Sequence, residues 1–408
     1  MTGHLDTATA AATRPALPRP YLVWLAGTRA SLLGAAAMYF ALGWAASAHG
    51  GAMAAVVLTA INLPRTVLLL LGGAVGDRFG ARRVMIVGDT VTAALVLAVV
   101  SFHVGPRSWL LVMVAVVIGT VDAFYLPATG SMPRRLVSKE HLPRALAMRQ
   151  AGGQISSPLG APLGAVLVAS AGLSGAALVD AGTFAVVLVV LLCVRPAFDV
   201  ERSSREESLL AGAVDGVWLA MKGSVLRSAL LLTAAAAGFL LPVMSLLNPL
   251  LAREHGWGAG AAGLVAAGQG VGMIVVSLVV TRRGAMSRMG IGASVGLCCA
   301  ALGIAAVATA PASGVAGAGG IVVGAGSGMF ACHIGPLLLT SVPETHLSRM
   351  QVLLTLVRSL ALLVVNNSLG VFAEVGTATT GAAVCAVAVC SAGIMGLASK
   401  PLRGLRRG

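Results

Sequence analysis

Five ionisable side chains interrupt otherwise apolar runs of this 408-residue chain: Arg29, Arg65, Asp89, Asp122 and Arg358. Charge in hydrocarbon is costly, so each marks a partner or a function. At about 1.5 Å rise per residue, the first four lie roughly 9–16 Å from one end of their runs. Two bases and two acids thus share a depth, and mutual pairing is geometrically open to them. Arg358 reaches a similar depth in a later run, whose nearest acid, Glu374, stands at the far end. The chemistry such groups offer is proton uptake and release. Asp122 is the first choice for it and Asp89 the second. Burial and a neighbouring arginine pull a carboxyl's charge in opposite directions, so access to water could switch it. A static lattice of the same charges with Asp77, holding a gate shut, fits the sequence as well. Asp180, near the end of its run, reads as a structural or interfacial acid.

What must position these groups is a membrane-spanning bundle. Hydrophobic residues make up 57% of the chain and charged ones 10%, where a soluble domain carries about 25% charged. A spanning helix needs about 20 mostly apolar residues. Runs of that kind lie near 21–46, 52–76, 84–104, 109–130, 144–170 and 174–194, then near 227–251, 257–281, 289–309, 311–340, 350–373 and 376–397. The expectation is an all-α membrane protein of twelve helices in two six-helix halves, 21–194 and 227–398. Segment 1–20 is expected to be a disordered cytoplasmic tail without a cleaved signal. A central cytoplasmic loop, 195–226, and a basic tail, 399–408, complete the division.

Sidedness tests the count, because arginine and lysine concentrate in cytoplasmic loops. With both termini inside, the outer loops hold only Arg107 and Arg253, although the net charge is +14. Trp24, Trp44, Trp109 and Trp257 fall at span ends, where an interfacial belt would put them. Trp218 lies in the central loop. There Leu210, Val214, Val217 and Met221 share its helical face, opposite Glu207 and Asp215, which predicts a helix lying on the membrane surface. The six cysteines form no C-x-x-C pair and read as small core residues.

Between the second and third runs stands Gly73-Ala-Val-Gly-Asp77-Arg78-Phe-Gly80-Ala81-Arg82-Arg83. Two or three residues must turn the chain, and Gly80 supplies the permissive backbone. Gly73 and Gly76 are expected to let a neighbouring helix approach. Arg78, Arg82 and Arg83 anchor the loop, and Asp77 suits a helix N-terminus or an arginine. The segment resembles the loop signature of the major facilitator superfamily, with Ala81 where that family often has an arginine. Ser31-Leu-Leu-Gly34, Leu63-Pro64, Leu126-Pro127-Ala128 and Leu136-Val137-Ser-Lys-Glu140 are similar to the branch of macrolide efflux proteins and the enterobactin exporter. That resemblance implies two bundles related by a pseudo-two-fold axis, spans 1, 4, 7 and 10 around a central cavity, and alternating access driven by protons. Gly153, Ser157, Ala161 and Ala165, with Pro158 and Pro162 between them, look like a degraded Gly-Pro motif of exporting facilitators. Close helix packing accounts for them equally.

Along the cavity spans the candidate substrate contacts are Tyr39, Phe40, Tyr125, Asn248, Phe330 and His333, with Gln269 and Asn366 from flanking spans. Their sparse polarity suits an apolar ligand, and His333 reads more readily as a satisfied core histidine than as a proton relay. The expected function is proton-coupled efflux of a small hydrophobic or amphiphilic molecule. Uptake, a lipid-like substrate and a non-transporting sensor are the alternatives. The expected partners are that molecule and the lipid bilayer of the cell membrane, with no nucleic acid and the chain a monomer. There is no P-loop, no metal-ligand cluster and no extramembrane segment large enough for a catalytic domain. No cofactor, metal or catalytic residue is expected, the proton gradient being the energy source.

Overall fold

Backbone amides in hydrocarbon must be satisfied within the chain, so long apolar runs become helices. In the computed structural model, which describes residues 17–101, 107–198, 223–342 and 347–404, every regular element is a helix. They are α1 Arg19–Ser47, α2 Gly51–Phe79, α3 Ala81–Ser101, α4 Ser108–Leu136 and α5 Leu142–Cys193. There follow α6 Ser224–Glu254, α7 Ala259–Arg283, α8 Met289–Ala308, α9 Ser313–Thr340, α10 Leu347–Val375, α11 Ala378–Ala398 and the short α12 Lys400–Gly404. Hydroxyls inside the spans bond back one turn, as Thr66 to the Asn62 carbonyl and Thr120 to that of Val116, so they enter lipid already satisfied.

Twelve crossings result. Ten of these helices are long and apolar enough to span among the described residues, and α3, at 21 residues, is long enough by its rise. The twelfth crossing is hidden in α5. Its 52 residues would extend about 78 Å as one rod, more than twice a hydrocarbon core. Gly172 breaks it with φ 63° and ψ −163°, a backbone open only to glycine. The contacts of the two limbs with α1 show the reversal. Gly152, Gly160 and Gly164 meet Arg29, Ala36 and Ala37 in rising order, whereas Asp180 and Val190 meet Gly34 and Gly27 in falling order. One limb runs parallel to α1 and the other antiparallel.

The first half packs α1 against both limbs of α5, α2 against α4, and α3 against α4 and α5; the second packs α9 against α7 and α8, and α8 against α11. At the α2–α4 crossing, Gly119 lies on the Ile61 carbonyl and Gly72 on that of Ala123, leaving no room for a side chain. It is Gly72 that serves the close approach. Around Gly76, expected to share that role, there is open space, and Gly73 lies among helix residues whose side chains are outside the description.

The halves meet through α2 on α10 and through α5 on α7. Gly51 and Ala55 lie on Gly370, and the Asn367 amide donates to Thr59 Oγ1 at 2.8 Å. Ala165 sits on Gly263 and Pro158 on Gly270, so the small residues of the first α5 limb are packing surfaces toward α1 and α7. One end is closed further. Arg253 Nε donates to Ser47 Oγ at 2.7 Å and its Nη2 to the Trp44 carbonyl at 2.8 Å, with the guanidinium 4.2 Å above the Trp44 ring. The Glu374 carboxylate accepts from the Ala52 amide at 3.1 Å. This closed end is opposite the arginine-rich turns.

Two sequence expectations are corrected. Trp24 does not belong to an interfacial belt: it is fully buried beside Tyr21, Met85 and Met132, while Trp109 at 59% exposure suits the belt. Of the six cysteines, all unbridged, only Cys385 is fully buried and Cys193 is exposed. The tail before residue 17 and the surface helix expected around Trp218 lie outside the described residues.

Candidate functional site

The turn motif is built around two contrasting neighbours. Gly80 ends α2 with φ 88°, its amide donating to the Gly76 carbonyl at 3.0 Å. Ala81 is 1% exposed within the Trp24 cluster, so the position where the family often has arginine is here filled by packing. The anchoring falls to Arg82, whose Nε donates to the Leu191 carbonyl at 2.6 Å and whose Nη2 donates to that of Leu192 at 3.1 Å. These are orphan carbonyls at the C-terminus of α5, where a cation also meets the helix dipole. Replacing Arg82 by alanine is expected to cost about 2 kcal/mol, read as a lowered melting temperature in detergent. Arg82→Lys should recover less than half of it, since an ammonium lacks the two-pronged geometry. Arg78 is exposed, 5.6 Å above the Phe79 ring, and Arg83 is exposed too. The Asp77 side chain lies outside the description.

Two cavities meet at α1. The first, about 380 Å³, lies between the halves. Tyr39 and Phe40 of α1, Asn62 and Arg65 of α2, Gln269 of α7 and Asn366 of α10 supply its aromatic and polar lining. Leu241, Met244 and Ser245 come from α6, where two π-helical turns, Ala236–Leu240 and Val243–Leu247, flank Pro242. Such turns change which side chains face inward and often occur at functional sites. Asn366 is 2% exposed with Oδ1 unpartnered, a free acceptor on the cavity wall.

The second cavity, about 320 Å³, lies inside the first half. Arg29, Arg65, Asp89, Asp122, Arg149 and Asp180 all line it, with Ser31, Tyr39 and Tyr125. The pairing of acids with bases that their shared depth left open is not made: among the described residues none of these charges forms an ion pair. The acids face hydroxyls instead. Tyr39 donates its hydroxyl to Asp122 Oδ2, and Arg65 and Asp180 are the charges beside that pair. Tyr125 lies next to Asp89 without a hydrogen bond of normal geometry, leaving both Asp89 oxygens unpartnered at 1% exposure. Asp180, also 1% exposed, faces Gly34 with Oδ1 unpartnered, the Thr183 hydroxyl donating to its backbone carbonyl at 2.8 Å. Tyr39 and Arg65 line both cavities, so a change at Asp122 is one side chain away from whatever fills the central space.

Tyr39, Phe40, Gln269 and Asn366 thus converge on the central cavity, and Tyr125 on the inner one. Asn248, Phe330 and His333 do not join them. Asn248 is buried with its amide donating to the Ala262 carbonyl at 2.9 Å, and Phe330 packs on Gly296 within its own half. His333 is held from both sides: the Met286 amide donates to Nε2 at 3.1 Å, and Nδ1 donates to the Met329 carbonyl at 2.7 Å. It is a satisfied core histidine. Arg358 is exposed on α10 and forms no ion pair among the described residues. The sequence reading left out Arg149 and misplaced Asp180. Counted from Cys193, Asp180 stands 13 residues up its helix, about 20 Å, and Asp122 stands 14 residues from Leu136, about 21 Å. From the run ends read in the sequence, near 130 and 194, the two acids lie about 9 Å apart in depth, so the match emerges only once α4 is seen to extend to Leu136.

A twelve-crossing bundle of two halves, closed at one end and enclosing a sparsely polar cavity, defines a membrane transporter. Residues 23–365 match the family model described as Major Facilitator Superfamily, and the chain belongs to that superfamily. That superfamily is one of transporters, which are not enzymes and work without a cofactor. The multidrug efflux pump Tap of Mycolicibacterium fortuitum is 29% identical over 219 residues, 50% of this chain and 53% of that protein. The match spans about half the relative's length. Solved structures share the fold at low identity. The nucleoside transporter NupG superposes with a TM-score of 0.71 at 13% identity, over 94% of this chain and 99% of that one. A bacterial homologue of the human lysosomal transporter Spinster, inward-facing and unoccupied, gives 0.69 at 16% identity over 96% and 99%.

Proposed function

We propose that the chain is a proton-coupled exporter of small amphiphilic molecules in the cell membrane, with both termini cytoplasmic. The observation that carries this reading is the junction at Tyr39, which lines the substrate-sized cavity while its hydroxyl is bonded to the half-buried Asp122. Proton exchange at Asp122 and occupancy of the central cavity then act on one side chain. The lining suits the substrate class: Phe40, Leu58, Ile61, Leu241, Met244 and Leu362 offer apolar surface, while Gln269, Asn62 and Asn366 offer a few hydrogen bonds. The arginine distribution supports the orientation, and the likeness to a multidrug efflux pump supports the direction. In this orientation the closed end is extracellular and the cavity belongs to an inward-facing state. Segments 21–194 and 227–398 are the two moving bodies and 195–226 links them.

The test is accumulation of an amphiphilic cationic dye by inside-out vesicles under an imposed, acid-inside pH gradient. Uptake that collapses on adding a protonophore supports the reading. Uptake insensitive to the protonophore, or driven only by the opposite gradient, overturns it.

A further inference from the structure

The helices α2 and α10 are in contact at the closed end, through Gly51, Ala55 and Thr59 on Gly370 and Asn367. Further along they part. Between them lies a cleft of about 410 Å³, lined by Leu63, Thr66, Leu353, Leu356, Leu360 and Leu363 and almost wholly apolar. Leu63 is 45% exposed and Leu360 63% exposed, and both stand well inside spans that cross hydrocarbon, so lipid is what borders the cleft outside. Asn62 lines the cleft and also the central cavity, and it is followed on the cavity side by Arg65 and Asn366. An apolar slot thus opens sideways on the bilayer and ends on a polar residue of the substrate site. A cavity that took its ligand only from water would have no use for an apolar wall running out to lipid.

We propose that the cleft between α2 and α10 is a lateral portal, through which amphiphiles dissolved in the leaflet on the arginine-rich side enter the central cavity, apolar tail along the leucines and polar head toward Asn62. This rests on the export reading and names its entry route. A portal governs access, so narrowing it alters capture and leaves turnover alone.

Two measurements on the full chain in proteoliposomes test it. The first is extrusion of a lipophilic dye that fluoresces only in the bilayer. Leu63→Trp and Leu360→Trp are expected to raise the KM about fivefold with kcat unchanged, while Leu302→Trp, on the lipid-facing side of α8 at 70% exposure, leaves both unaltered. The second is photolabelling with a long-chain amine carrying a diazirine. Adducts are expected within 62–66 and 353–363, and Leu360→Trp should deplete them. Unchanged KM in both portal variants, or adducts that avoid these two segments, overturns the portal. Labelling does not require turnover, so a wild-type protein that labels in the cleft but extrudes no dye would instead sink the export reading.

Discussion

Asp122→Asn is expected to abolish gradient-driven accumulation while leaving substrate binding and the fold intact. The argument is one of shape and charge. Asparagine keeps the carbonyl oxygen that accepts the Tyr39 hydroxyl, so that contact and the wall of both cavities survive. It cannot exchange a proton. One pH unit of gradient is worth about 1.4 kcal/mol per proton, which sustains about a tenfold concentration ratio for one-for-one exchange. The wild type should therefore accumulate dye about tenfold per pH unit, and the variant should level off near a ratio of one. Downhill dye flow should persist in the variant. Tyr39→Phe keeps the carboxyl but cuts its link to the central cavity, and an intermediate loss of accumulation is expected. A variant at Asp122 that still concentrates dye, beside an Asp89→Asn protein that does not, would move the coupling role to Asp89. That residue is the more deeply buried of the two, with both oxygens unpartnered.

The architecture was legible because lipid imposes a coarse rule. Runs of about 20 apolar residues must be helices, and even the division of the 52-residue α5 falls at Gly172, between the runs ending near 170 and starting near 174. What the sequence conveys poorly is azimuth. Depth arithmetic brought Arg29, Arg65, Asp89 and Asp122 to one level but could not say which way each pointed. The acids turn to tyrosines and form no ion pairs with the arginines beside them. The same blindness placed Asn248, Phe330 and His333 on the cavity because of their span number, although each faces its own half. Trp24 was different, since the signal was present. Tyr21, Trp24, Leu25, Thr28 and Ser31 follow the spacing of one helical face and all are buried. That stripe outranks the positional rule that tryptophans at span ends sit in the interface. The position of Ala81 in the turn motif also became intelligible only in three dimensions, because the cluster that fills it comes from α1, α3, α4 and both limbs of α5.

Arg253→Ala is expected to open the sealed end. An alternating transporter divides its population between two states, and contacts made in only one of them set the division. Arg253 spans the two halves with two hydrogen bonds and a ring contact, all to Trp44 and Ser47. The Trp44 carbonyl it meets belongs to the last turn of α1, so its charge also faces a helix C-terminus. Hydrogen bonds of a charged donor are worth about 1.5–3 kcal/mol each in a folded protein, and the ring contact about 0.5–1 kcal/mol at an exposed site. Water competes at this surface, and a net loss of about 2 kcal/mol is the reasonable expectation. That shifts the ratio of closed to open outer ends by about thirtyfold, since each 1.4 kcal/mol is tenfold. Spin labels on Ala48 and Gly260, both exposed at that end and outside the Arg253 contacts, would read it as a longer distance in most molecules of the variant and in a minority of the wild type. Glu374→Gln should act in the same direction but more weakly, because the bond from the Ala52 amide can be kept by the glutamine oxygen. Arg253→Lys keeps the charge without the fork and should fall between. If Arg253→Ala leaves the distance distribution unaltered, the state is held by the glycine-lined contacts of α2 on α10 and α5 on α7, and the lock lies in packing.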